Sequence, residues 1–157
     1  MNPSRARFAP ALPTLLLTAL ASTASAQFAL QDQPGDHFDI TFDGKTVARY
    51  MYAFDPSSEE RLHETYKPYL HVFDAEGEAP ITKGPGGQYT HHRGIFIGWN
   101  KISFNDGLFD LWHMKGVYQI HQDFAAQRAD ADAASITSRV HWIDPEGTVI
   151  LEEDRTM

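Results

Sequence analysis

Beyond residue 27, apolar and polar positions alternate with a period of two over much of the chain, the spacing of a half-buried strand. In Thr46–Phe54, Tyr50, Tyr52 and Phe54 fall on one face. In Ser135–Ile143, Ile136, Val140 and Trp142 share a face opposite Thr137, Arg139 and His141. Turn sequences punctuate these runs. Asp43-Gly44 separates Phe38–Phe42 from Thr46–Phe54, and Asp74–Gly77 follows Tyr69–Phe73. Asn105–Gly107 separates Gly94–Phe104 from Leu108–Met114, and Asp144–Gly147 separates Ile136–Ile143 from Thr148–Glu152. Each begins with Asp or Asn, whose side chain can start an Asx turn, and ends on a glycine free to take positive φ. Asp123–Ala134 has helical propensity but no apolar stripe, which predicts a hairpin connection with at most one helical turn. The pattern predicts an all-β fold, an antiparallel β-sandwich or barrel-like sheet. Val149–Met157 reads as a strand with no turn or cap after it, so the domain is expected to be incomplete at its C-terminus.

Residues 1–26 follow a different rule. Arg5 and Arg7 form a positive start, Leu12–Ala21 an apolar core, and Ala24-Ser25-Ala26 a small-residue cleavage site. Pro10 and Pro13 argue against a buried helix there. The expectation is a secretory signal peptide cut after Ala26, leaving a β-sandwich domain over 27–157 in the periplasm or outside the cell. No apolar run reaches the ~18 residues of a membrane-spanning helix.

Composition narrows the chemistry. The 157 residues carry 13 Lys and Arg against 21 Asp and Glu, a formal charge of −8, which is the wrong sign for a nucleic-acid binder. There is no cysteine, so disulfides, thiolate nucleophiles and sulfur-ligated metals are excluded. Stability in an oxidising compartment must then come from packing.

Polar and aromatic residues concentrate between Lys67 and His113. On a strand Lys67, Tyr69 and His71 project together. If their segment is extended, His91 and His92 face opposite ways. On a loop, which Gly84–Gly87 allows, both can converge. In an extended Phe109–Met114, His113 would share a face with Leu111 and Phe109, and Asp110 one with Trp112. Four histidines, His71, His91, His92 and His113, with Arg93, Lys67 and Tyr69, suit proton transfer and oxyanion stabilisation near neutral pH. The same histidines with Asp110 could ligate Zn²⁺ or Fe²⁺, but no H-E-x-x-H spacing supports it, and no metal or cofactor is assigned. For any one of them, a structural role in hydrogen bonding between loops competes. Trp99, Trp112 and Trp142 read first as core or rim aromatics and second as stacking platforms for sugars. Gly84–Gly87 lacks the P-loop pattern. The acidic runs Asp55–Glu60 and Glu152–Asp154 read as solvated faces or turns.

Lys67-Pro-Tyr-Leu-His71, Ala79–Gly84, Tyr89-Thr-His-His-Arg-Gly-Ile-Phe-Ile-Gly98 and Phe109-Asp-Leu-Trp-His113 together resemble one bacterial group, labelled "methane oxygenase PmoA-like" or domain of unknown function. The resemblance runs from about Tyr50 to Met157. It departs from the group's pattern at Glu76, and the second half of that pattern is absent. The resemblance implies an exported β-sandwich of the kind found with sugar-degrading systems, and points to the large sandwiches of sugar epimerases as a form. It places Lys67, Tyr69, His71, His91, His92, Arg93, Trp112 and His113 on motif positions. The oxygenase label itself does not transfer chemistry, because the membrane subunit of particulate methane monooxygenase is a multi-span helical protein.

The resulting expectation is carbohydrate-directed acid–base catalysis. His91 or His92 would act as base or acid, His113 as partner, and Arg93 with Lys67 as hydroxyl or oxyanion binders. Tyr69, His71 and Trp112 would contact substrate. A non-catalytic carbohydrate-binding module is the alternative, and a metal-dependent oxygenase a third reading. A carbohydrate or other small molecule is the expected partner, with no nucleic acid.

Overall fold

A computed structural model describes residues 27–157, so the signal-peptide reading lies outside the described residues. Among the described residues nine strands form three antiparallel sheets, accompanied by one helix. Strands β1 (Phe28–Gln33), β2 (His37–Phe42), β3 (Lys45–Met51) and β4 (Tyr69–Val72) make the first sheet in chain order. Helix α1 (Glu59–Thr65) lies between β3 and β4. A short ribbon pairs β5 (Ile102–Phe104) with β6 (Gly107–Phe109), and β7 (Tyr118–Ala129), β8 (Ala134–Ile143) and β9 (Val149–Thr156) form the third sheet. The all-β, sandwich-like expectation holds.

The two larger sheets meet through the faces the alternation identified. Phe38, Tyr50, Tyr52 and Ile136 form one buried cluster, with Phe124 against Phe38 at 4.7 Å between ring centroids. Tyr50 donates across the interface to Ser138 Oγ at 3.1 Å. A second cluster joins Val140 and Trp142 of β8 to Tyr66, Leu111, Met114 and Val117. Strand β8 thus feeds both halves of the core from one face. Polar groups buried beside it are paired. Arg155 donates to Pro68 O at 3.2 Å and Gln119 Oε1 at 3.0 Å, and Trp142 Nε1 to Glu153 Oε2 at 2.8 Å. Glu153 therefore belongs to this network, whereas the acidic run Glu152–Asp154 reads from sequence as solvated.

Three local readings are corrected. Asp123–Ala134 is mostly strand, since β7 continues to Ala129 and turns only over Asp130–Ala133. Ladder pairing with β8, kept in register by two bulges, outweighs the helical propensity of its alanines and glutamines. The acidic stretch Asp55–Glu60 is solvent-facing, as its sequence suggests, and its end opens helix α1. Ser58 Oγ caps it by accepting from Arg61 N at 3.1 Å, and Glu59 and Glu60 sit in the first turn, where the helix dipole favours them. Gly94–Phe104 enters a ladder only at Ile102. Ile95 makes an isolated bridge with Leu70, and Ile97 O accepts from the Gln119 side chain at 2.9 Å instead of from a neighbouring strand. Leu108–Met114 stops being a strand at Phe109, because the Asp110 carboxylate accepts from the amides of Trp112 at 3.2 Å and His113 at 2.9 Å and folds the chain into a turn.

Ile136 is fully buried where the two sheets meet. Ile136→Ala is expected to lower unfolding free energy by about 2–5 kcal/mol, read from urea denaturation, with little change in denaturant slope.

Candidate active site

The histidines reach one place because the segment before them is wound rather than extended. Lys83 Nζ donates to Tyr89 O at 3.1 Å and His92 O at 2.8 Å, and also bonds Gly84 O and Gly86 O. An ammonium with three donors and no acceptor thus gathers carbonyls that no ladder satisfies. Arg93 then anchors the end of the loop. Its guanidinium, 1% exposed, donates to Glu64 O at 2.7 Å, His63 O at 3.1 Å and Thr90 O at 2.9 Å. The first two are carbonyls of the last turn of α1, where a cation is also favoured by the helix dipole. Gly94 follows at φ +43°, and a Cβ there would strike Leu70 O and the Tyr69 ring at 2.7 Å. Only glycine lets the backbone cross so close to β4.

On this loop His91 and His92 converge, with ring centroids 4.2 Å apart. His91 also lies 4.6 Å from the ring of His113. His113 comes from the turn that Asp110 makes, and its Nδ1 bonds Asp110 Oδ2 at 2.8 Å. A carboxylate only accepts, so Nδ1 carries the hydrogen and Nε2 is left as the free nitrogen. Trp112 stands against His92 at 5.8 Å and Phe96 at 5.0 Å. It separates two open clefts. One, of about 340 Å³, is lined by Thr82, Lys83, His92, Arg93, Gly94, Phe96 and Trp112. The other, of about 460 Å³, is lined by Gly98, Trp99, Asn100, Trp112 and His113.

The strand β4 residues lie beneath. Lys67 is 1% exposed; its Nζ donates to Trp112 O at 3.2 Å and sits 3.4 Å above the centroid of Phe96. Lys67 precedes β4; within the strand Tyr69 and His71 share a face, their rings 5.0 Å apart, and His71 Nδ1 is hydrogen-bonded to Thr82 Oγ1 at 2.9 Å. His71 therefore braces β4 against the loop and does not join the three stacked imidazoles. Lys67 and Tyr69 also line a separate cleft of about 230 Å³ with Asp36, Arg61 and Glu64.

Titration follows burial and neighbouring charge. Burial, the Arg93 and Arg155 guanidiniums together push the Lys67 amine down to about 7, with Asp110 opposing. Burial, then His92, His113 and Lys67, hold His91 below the ordinary histidine value, again with Asp110 opposing. Burial tends to raise Asp110, but hydrogen bonds from His113 and Trp112 win and hold its carboxyl below the usual range. Tyr66 is pushed up by burial, and its hydroxyl and Arg93 Nε are buried without hydrogen-bond partners.

The site expectations resolve unevenly. His91, His92, His113 and Trp112 come together. Arg93 spends its Nη donors on backbone carbonyls and is buried, so it holds the loop. Lys67 is likewise committed to a backbone carbonyl. The in-strand faces expected for Asp110 and His113 do not form, because the turn brings these two side chains together. What sequence reasoning did not foresee is the gathering of loop carbonyls by Lys83 and the hydrogen bond between Asp110 and His113, for which the Asp-x-x-His spacing after a strand was the available signal. As to a metal, among the described residues no group of three or more His, Asp and Glu side chains is arranged to hold one.

Compared with known proteins, residues 37–157 match the model of a family of unknown function, DUF6807. No curated protein and no solved structure matches.

Two measurements test the electrostatics. With a folded value of about 7 against ~10.4 unfolded, Lys67 binds fewer protons folded than unfolded across that window. Stability should therefore rise with pH between these values, and Lys67→Met should flatten that rise in pH-dependent urea denaturation. In an NMR titration of ring C–H signals, His91 should titrate below ~6.5, and Lys67→Met should move its midpoint upward.

Proposed function

The chain belongs to DUF6807, a family of unknown function, and we propose, from its imidazole cluster, that it catalyses general acid–base chemistry on a carbohydrate-class substrate. The observation that carries this reading is the meeting of His91 with His92 and His113, from two separate segments, at 4.2 and 4.6 Å. His91 is the base. Its weakened hold on a proton leaves it neutral at pH 7, able to accept one from a substrate hydroxyl or from a carbon beside a carbonyl. His113 is the acid. Asp110 fixes its ring through Nδ1 and balances its charge while Nε2 holds the proton to be returned. Trp112 supplies an apolar wall, and Lys67, through Trp112 O, keeps that wall in place. His92 is exposed and, at 5.4 Å, lies nearer Tyr89 than His91 does, consistent with contact to substrate rather than proton transfer.

A binding module without catalysis is the second reading, favoured by the exposure of Trp99 beside the same cluster. We also propose that residues 1–26 direct export and are removed after Ala26, leaving the β domain of 27–157; no helix among the described residues is long and apolar enough to cross a membrane. N-terminal sequencing of protein recovered from the periplasm or medium should begin at Gln27.

The catalytic reading is tested with the full chain on aryl glycosides and keto-sugars. His91→Ala and His113→Ala should each lower kcat by about 10²–10⁴-fold, and Asp110→Asn should lower it through loss of ring orientation. The acidic limb of the wild-type pH–rate profile should lie below ~6.5, because His91 must be unprotonated, and the rate should fall again at high pH once the acid has lost its proton. Product formed at an undiminished rate by either histidine variant would remove the proposal.

A further inference from the structure

Trp99 lies just beyond the imidazole cluster, in the cleft it shares with Gly98, Asn100, Trp112 and His113. Its indole is 54% exposed, whereas Trp142 behind it is 1% exposed. The two rings lie 5.4 Å apart at 34°, so one face of Trp99 is packed on the core and the other is bare. The backbone beneath is held as firmly. Leu111 N donates to Trp99 O at 2.8 Å, and a Cβ on Gly98 would strike Leu111 O and lie 3.3 Å from Trp112 Cα. Gly98 therefore lets the 98–100 segment press against the turn that carries Trp112 and His113. An aromatic side chain with two torsions, backed by a buried ring and fixed through its own carbonyl, has little conformational freedom left to lose on binding.

We infer that Trp99 is the stacking platform of a subsite for the pyranose ring of a neutral oligosaccharide, whose neighbouring sugar extends toward His113. This rests on the carbohydrate half of the reading above and not on its catalytic half. The bare indole face suits the C–H face of a pyranose. Asn100 provides both donor and acceptor for sugar hydroxyls. No side chain lining the cleft carries a fixed charge, which favours a neutral ligand over a sugar acid or phosphate. His113 bounds the same cleft, so a sugar seated on Trp99 has its next linkage directed at the acid of the proposed pair.

Calorimetry of the full chain with cellohexaose, xylohexaose, mannohexaose and laminarihexaose tests this, with tryptophan fluorescence as a second readout. At least one should bind and perturb the fluorescence. Trp99→Ala should weaken that binding about tenfold or more, while Trp99→Phe, which keeps an aromatic face and the fold, should retain part of it. Absence of binding by all four, or equal affinity in Trp99→Ala with native circular dichroism, would overturn the assignment. The two readings fail separately. Trp99-dependent binding with no product from any sugar leaves the platform and removes the catalysis. Turnover with unchanged KM in Trp99→Ala removes the platform and leaves the catalysis.

Discussion

Backbone carbonyls that join no sheet need donors, and in this protein three cationic side chains supply them, the buried Lys67 and Arg93 and the exposed Lys83. Arg93 takes the carbonyls that end α1, Lys67 takes Trp112 O, and Lys83 takes those of the loop that leads to the histidines. An irregular segment between β4 and β5 would otherwise leave its backbone groups unsatisfied, at a cost of about 1–3 kcal/mol for each one buried. Three long side chains thus replace a strand ladder. In doing so they fix where His91 and His92 emerge and where Trp112 stands.

The same arrangement explains why the three stacked imidazoles emerge from loops and not from the sheets. The facing sheets are closed by Phe38, Tyr50, Tyr52 and Ile136 on one side and by Val140 and Trp142 on the other. They form a rigid base with its polar groups paired, as Arg155 shows by bonding Pro68 O and Gln119. Loops held on such a base can place titratable groups accurately without contributing to the core. The burial that positions Lys67 also lowers its proton affinity, so it weighs on the neighbouring imidazole only in part near neutral pH.

Charge and orientation are divided among neighbours. Asp110 does two jobs with one carboxylate: it makes the turn by accepting from two amides and it sets the tautomer of His113. Its replacement would therefore disturb geometry and proton chemistry together, which is why the histidine variants are the cleaner probes of catalysis. Trp112 is the wall the two clefts share, and Trp99 lines the second of them.

The amino-acid sequence by itself determined most of β2, β3, β4, β8 and β9, the tight turns and the inward faces. Period-two alternation and Asp/Asn–Gly turns are local signals, and Ile136, Val140 and Trp142 are buried together as their spacing requires. It also brought forward His91, His92, His113 and Trp112, since residue type announces chemistry before position is known. Tertiary structure decided the rest. Helix α1 depends on a cap and on a guanidinium contributed by residue 93, and β7 is a strand because β8 lies alongside it. The split of the histidines, with three rings stacked and His71 bonded to Thr82, depends on a loop wound about Lys83, whose carbonyl partners lie up to nine residues away. Contacts of that kind follow from where a charged group finds its acceptors once the chain is compact, and no periodicity in the sequence encodes them.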